Sequence, residues 1–265
     1  MKKYNNLHQL QVINHNRRLF MKPQQRTAVI TDAESCLGKA LVRTLLDEHY
    51  NVIGIFSSDE HMQSFLQELD NKTAFLPVTG ESHCTDFAGQ LMQQGIIRFG
   101  NIDIIIHNSG AFLSKTYEKT TPDDFMHLIN SNIYSLFNLS QLAIKNMLKN
   151  HGGKIIVVTS CIALQPSQKI PAALSVLAKE GVHGLVRALA LEYAKKNIRV
   201  NAVAPGYIES PLNTELNQDF INLVSPADEV GTINDIIESI RFLLKSDYIN
   251  GTVMPVDGGY SAGNW

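Results

Sequence analysis

From Thr27 onward the apolar residues follow two alternating periods. Short, β-branched-rich runs read as buried strands: "RTAVIT", "NVIGIF", "TAFLPV", "IDIIIHN", "GKIIVVTS", "IRVNAVAPG" and "GTVMPVDGG". Between them lie stretches apolar at helical spacing: "GKALVRTLLDEHY", "DEHMQSFLQELD", "TDFAGQLMQQGIIRFG", "PAALSVLAKEGVHGLVRALALEYAKK" and "DIIESIRFLLKS". The longest, "TPDDFMHLINSNIYSLFNLSQLAIKNMLKN", reads as one helix, with Thr121 as N-cap and Pro122 at its first position. Strands alternating with helices across short turns predict an α/β protein with a doubly wound parallel sheet between two helical layers. Crossovers are then right-handed, and ligands bind beyond the carboxyl ends of the strands.

Charge divides the chain in two. Residues 1–26 hold Lys2, Lys3, Arg17, Arg18, Lys22 and Arg26 and no acid; the rest carries 17 basic against 25 acidic residues. A body with a net charge of −8 is poorly suited to nucleic acid. We read residues 1–25 as a basic, polar extension and 26–265 as one domain, with Met21 as an alternative start. The leader lacks the apolar run of a secretory signal, and no stretch is long and apolar enough for a bilayer. Cys36, Cys84 and Cys161 are scattered and odd in number. That argues against a disulfide framework or a metal site and fits a cytoplasmic location.

Several motifs, in order, carry a resemblance. "HNSG" (107–110) is similar to Asn-Asn-Ala-Gly, and "NIYSLF" (132–137) to Asn-Leu-x-Gly-Val-Phe. "IRVNAVAPG" (198–206) and "YINGTVMPVDGG" (248–259) match with little change. From Arg26 to about Tyr260 the chain resembles the short-chain dehydrogenases/reductases, which implies a Rossmann-type fold, NAD(P) and hydride transfer to or from a carbonyl carbon. The resemblance implies a tetrad of Asn, Ser, Tyr and Lys. Asn132 and Lys179 are retained. Cys161 stands in the serine's place with Ser160 adjacent, and Ser175 stands in the tyrosine's place, within "LSVLAKEG". A serine hydroxyl lies a whole ring nearer the backbone and is a far weaker acid than tyrosine, whose free pKa is ~10. Positioned acid–base catalysis supplies ~10²–10⁴-fold, so its loss nearly silences carbonyl reduction. An alternative tyrosine position seven residues before the lysine is Ala172. Tyr207 is the nearest substitute acid, and Cys161 reads as a core thiol.

The cofactor turn departs as well. Against Thr-Gly-x-x-x-Gly-x-Gly the chain has "TDAESCLG", Thr31 to Gly38. Asp32 and Cys36 replace the glycines that let the backbone approach a pyrophosphate at the helix N-terminus. A carboxylate ~5 Å from a phosphate at an effective dielectric of ~20 costs ~3 kcal/mol, about a hundredfold in affinity. The cost vanishes if Asp32 turns away to cap the helix, and Glu34 adds a second negative charge. The cofactor positions implied are Thr31, Asp32, Ser35, Cys36, Leu37, Gly38, Ser57, Asn108, Gly110, Lys179, Pro205, Gly206 and Ser210. Ser57 and Ser58 provide neither the acid that favours NAD nor the arginine that favours NADP, and Pro77 replaces an aspartate that contacts adenine.

The expectation is an oxidoreductase by ancestry that is catalytically impaired, a pseudoenzyme with weakened dinucleotide binding. Alternatives are an atypical NAD(P)-dependent carbonyl or 3-oxoacyl-type reductase, and an inactive subunit assembled with an active relative. The resemblance implies a homo- or hetero-oligomer, tetramer or dimer, joined through the long helices and the C-terminal strand, with Trp265 at the end. A small-molecule ligand is expected, and neither nucleic acid nor membrane.

Overall fold

A computed structural model describes residues 25–69, 73–108, 110–209, 221 and 224–263. The leader, Ser210 and Trp265 lie outside the described residues. Strands β1 (Thr27–Ile30), β2 (Asn51–Phe56), β3 (Phe75–Thr79), β4 (Ile104–His107), β5 (Gly153–Val158), β6 (Ile198–Pro205) and β7 (Val253–Val256) form a sheet in the order β3-β2-β1-β4-β5-β6-β7. Every pairing among them is parallel. Chain order reverses between β1 and β4, which opens a crevice beyond their carboxyl ends.

Strand periodicity sorts the core into two layers. Val29, Ile53, Ile105, Ile155 and Val200 face one side, where α3 (Thr85–Phe99), α5 (Ser135–Met147) and α7 (Ala173–Tyr193) cover them with Leu91, Leu139 and Val186. Ala28, Ile30, Val52, Ile106 and Val203 face the other, under α1 (Cys36–Asp47), α2 (Asp59–Gln67) and α8 (Ile233–Lys245), which supply Leu41, Phe65 and Ile240. Each fully buried large aliphatic side chain stabilises this sandwich by about 1.5–3 kcal/mol. Pro77 lies on the edge strand β3, where a missing N–H is tolerated.

Three local features differ from the sequence expectation. The long helix is interrupted: α4 (Pro122–Leu128) starts with the expected Thr121 capping box, but residues Ile129–Tyr134 form a π turn before α5. Such turns carry a sparser hydrogen-bond ladder and accompany functional positions. A short helix, α6 (Cys161–Leu164), follows β5 where none was expected. Helix α1 begins at Cys36 and is capped by Ser35, whose Oγ accepts from the Gly38 N–H at 3.0 Å. Asp32 is thus not the cap: its carbonyl is drawn into the turn instead, accepting from Ser35 N and Oγ.

Candidate functional site

The β1–α1 turn runs from Thr31 to Ser35 and leads into α1 at Cys36. Asp32 adopts φ 53°, a left-handed conformation that costs a non-glycine residue roughly 1–2 kcal/mol. Asp, with a short polar side chain, is among the residues that tolerate it. Gly38 remains because a Cβ there would lie 2.1 Å from the Asp32 carbonyl oxygen. Asn108 closes the turn from the end of β4. Its N–H donates to Thr31 Oγ1 at 2.9 Å, and its Nδ2 donates to Ser35 Oγ at 3.0 Å and Asp32 O at 3.3 Å. Cys36 opens α1 half-buried, and Leu37 packs its partly buried side chain on the core. Burial, and secondarily the charge of Glu34, push the Asp32 carboxyl up to about 7.

Glu34 is a residue the sequence reading undervalued. Its Oε1 accepts the backbone N–H of Ser57 at 3.0 Å, just past β2, and its Oε2 is buried without a partner. A cavity of about 280 Å³ is lined there by Asp32, Glu34, Phe56, Ser57, Glu81 and Gly110 among others, with no lysine or arginine among the described residues of its wall. Ser57 Oγ sits 3.3 Å from His61 Nδ1. No spacing in the sequence announces the contact between Glu34 and Ser57, because it depends on β1 and β2 lying side by side.

The other half of the crevice is ordered differently. Asn132, in the π turn, donates from Nδ2 to the carbonyls of Leu128 at 3.0 Å and Ala111 at 3.1 Å. Its Oδ1 thereby faces Lys179 Nζ at 3.2 Å. Gly110 makes room: a Cβ there would stand 2.7 Å from Asn132 Oδ1 and 3.2 Å from Lys179 Nζ. Burial alone lowers the Lys179 ammonium to about 8.

Ser175 does not face this pair as an acid. It is wholly buried; its Oγ accepts from the Leu113 N–H at 2.8 Å and aligns as donor to the Leu113 carbonyl at 3.0 Å. A serine hydroxyl has a single proton, and here it is spent on a backbone carbonyl. Cys161 is buried, and burial, followed by Asp257, pushes its thiol up to about 12. Ser160 is half-buried at the N-cap position of α6. Pro205 ends β6, and Gly206 N–H donates to Val256 O at 2.9 Å, closing the strand end against β7. Tyr207 lines a separate cavity of about 290 Å³ with Ser225, Glu229, Asp235 and Asp257. Lys179 does not line that cavity.

Two histidines join the site unannounced. His107 is fully buried, its Nε2 2.7 Å from Ser135 Oγ. Ser135 Oγ donates to Ser131 O at 2.7 Å, so His107 donates from Nε2. Burial, and then the neighbouring Lys179 charge, pull its pKa down to about 3, so the imidazole is neutral. His183, also buried, links Thr159 Oγ1 at 2.9 Å to Glu180 Oε1 at 2.9 Å and ties α7 to the end of β5. A "HNSG" motif shows that His107 exists; only the packing of α5 on β4 shows its partner. Among the described residues no group of three or more His, Cys, Asp or Glu is placed to hold a metal ion, and no helix is long and apolar enough to cross a membrane.

Comparison with known proteins agrees with this architecture. The short chain dehydrogenase family matches residues 26–220. The chain is 31% identical over 245 residues to 2-dehydro-3-deoxy-D-gluconate 5-dehydrogenase of Escherichia coli, covering 89% of this chain and 96% of that one. It is 29% identical to the 3-oxoacyl-(acyl-carrier-protein) reductase FabG of Thermotoga maritima, covering 90% and 99%. Among solved structures, ElxO with NADP bound superposes with a TM-score of 0.85 at 26% identity, covering 90% of this chain and all of that one. Levodione reductase superposes with a TM-score of 0.82 at 27% identity, covering 90% and 98%. With its sheet order, its Asn132–Lys179 pair and these matches, the chain belongs to the short-chain dehydrogenase family.

Proposed function

We propose that this chain retains the frame of an NAD(P)-dependent short-chain oxidoreductase but is catalytically impaired, serving as a pseudoenzyme that binds dinucleotide weakly. The observation that carries this reading is Ser175: its hydroxyl is closed on the Leu113 backbone, and its proton is not available to a carbonyl oxygen. The fit to a dinucleotide is uneven. Lys179 and Asn132 suit a nicotinamide ribose, whereas Asp32, Glu34 and Glu81 line the side that a pyrophosphate and adenosine would need. Glu34 and Glu81 repel phosphate, Asp32 joins them as pH rises through about 7, and Cys36 adds a side chain to the turn. Thr31, Ser35, Leu37, Gly38, Ser57, Asn108, Pro205, Gly206 and Ser210 complete the proposed cofactor set.

The retained Asn132–Lys179 pair favours a second reading, an active but atypical reductase of carbonyl or 3-oxoacyl type, with Ser160 or Tyr207 replacing the lost hydroxyls. A third is an inactive subunit of a hetero-oligomer. It is favoured by Tyr134, Phe137, Leu177 and Leu191, which stand exposed on the π turn, α5 and α7. Homo-oligomerisation as a tetramer or dimer would use the same face. We read residues 26–265 as one domain in the cytoplasm, with residues 1–25 as an extension.

Calorimetric titration with NADH and NADPH tests the proposal: weak or no binding is expected, with no turnover of a ketone panel. Tight binding with brisk turnover would overturn it. Asp32→Gly, Cys36→Gly and Ser175→Tyr together are expected to restore dinucleotide binding. A mixed tetramer on co-expression with a related chain would select the third reading.

A further inference from the structure

A further cavity lies at the opposite end of the sheet from the crevice. It has a volume of about 400 Å³ and opens between the amino ends of β1, β4, β5 and β6. That volume falls in the roughly 300–1,000 Å³ range of small-molecule pockets. Its charged wall is Arg26, Lys154 and Arg199 facing Asp103 and Asp247, with His151 beside them.

The two acids are already occupied. Asp103 Oδ2 accepts the Thr27 N–H at 2.8 Å, and its Oδ1 accepts Asn101 Nδ2 at 2.8 Å. Asp247 pairs with Lys154 at 3.0 Å. Lys154 is itself buried and saturated, since it also donates to Leu244 O at 2.8 Å and Ser246 O at 2.7 Å. It is a fixed positive charge in the wall with no donor to spare.

The arginines differ. Arg199 uses Nε on Asp247 O at 2.8 Å and Nη1 on Ala194 O at 3.2 Å, which leaves Nη2 without a partner among the described residues. Arg26 feels Asp103 and Asp247 only as distant charges, and its exposed guanidinium makes no hydrogen bond to another described residue. Two guanidinium groups with unspent donors thus share one polar cavity, and three cations there outnumber two engaged carboxylates. Guanidinium matches a phosphate's oxygens geometrically as well as in charge.

We propose that this cavity binds the phosphate group of a small phosphorylated molecule, held by Arg26 and Arg199, independently of the dinucleotide crevice. A single small ligand suits a cavity of about 400 Å³ better than a nucleic acid, which the −8 charge of the body would repel.

The test is binding by the intact chain, read by calorimetry and thermal shift at fixed ionic strength. The probes are glucose 6-phosphate, inorganic phosphate and uncharged glucose. Saturable binding of glucose 6-phosphate and none of glucose is expected. Tighter binding of the ester supports a phosphorylated molecule as ligand; inorganic phosphate binding as tightly as the ester would overturn that assignment in favour of free phosphate. Arg26→Glu is expected to weaken binding by about tenfold or more, the loss of one charge-assisted contact. The exposed Arg26 side chain makes no hydrogen bond to a described residue, and its backbone bond to Asn51 N–H at 2.9 Å does not depend on the side chain, so this variant should fold. Lys119→Glu, the same charge change on an exposed turn elsewhere, should leave binding within twofold. No saturable binding of either phosphate probe, or equal loss in the two variants, would overturn the proposal.

Discussion

The amino and carboxyl ends of one parallel sheet carry opposite charge. At the carboxyl end, Asp32, Glu34 and Glu81 line a cavity without a lysine or arginine among the described residues of its wall. At the amino end, Arg26, Lys154 and Arg199 line a larger one against two engaged acids. The strands between them are the same strands, and their buried Val, Ile and Ala side chains are indifferent to either end. Charge at a sheet's ends is set by a few loop residues whose replacement leaves the core untouched, so a family's binding end can be refitted without unfolding the frame. The helix N-terminus of α1 belongs to the carboxyl end. Its partial positive charge favours an anion, and the Ser35 hydroxyl caps it.

The strongest way to break this comparison is to collapse the β1–α1 turn. Gly38→Ala pushes a Cβ to 2.1 Å from a backbone oxygen, and a loss of about 4 kcal/mol is expected from urea denaturation. A loss under 1 kcal/mol would mean the turn can relax and that its conformation is not fixed by this contact.

The pH dependence comes next. Asp32 has a folded-state pKa of about 7, above its ordinary value of 3.8. The folded chain therefore holds this proton more tightly than the unfolded chain. The stabilising contribution is complete below about pH 4, declines as pH rises, and is gone above 7. The ceiling is ~4 kcal/mol, and residual solvent exposure lowers it to about 3. Asp32→Asn should flatten the stability profile between pH 4 and 7. An identical slope in the variant would assign the titration to another group.

Ser175→Ala is a smaller change with a distinct signature. It strips partners from the partly buried N–H and carbonyl of Leu113, at a cost of about 2 kcal/mol, with no effect on whatever catalysis remains. A large loss of turnover with unchanged stability would show that the hydroxyl acts in chemistry after all. The smallest effect is chemical. At pH 8, exposed Cys84 should be alkylated by iodoacetamide while Cys161, buried and held up to about 12, stays intact over the same period. Mass spectrometry of the peptides reads this directly, and equal labelling would contradict the burial of the α6 thiol.

Much of the frame was legible because it depends on local pattern. Strand alternation in "NVIGIF" and helical spacing in "DIIESIRFLLKS" reflect which face each residue turns to the core, and the elements fall where those periods place them. Asp32, Cys36 and Ser175 stood out one by one in the resemblance to the family's motifs. What they do was less legible. A carboxylate in "TDAESCLG" can cap a helix or hold a strained turn, and Ser35 took the cap because its Oγ, not a carboxylate oxygen of Asp32, accepts the Gly38 N–H. The π turn at Ile129–Tyr134 was hidden within a continuous helical period, since one extra residue per turn hardly disturbs an apolar stripe.

The chain by itself determined the layered α/β sandwich, the parallel sheet and the retained Asn132 and Lys179, because apolar period and motif order are properties of neighbours in sequence. The tertiary structure decided that Ser175 closes on Leu113, that Glu34 meets Ser57, and that Arg26 and Arg199 share a cavity across 173 residues of chain. Those pairings join groups far apart along the chain. Their energies arise from burial and hydrogen-bond geometry, which exist only once the strands lie side by side.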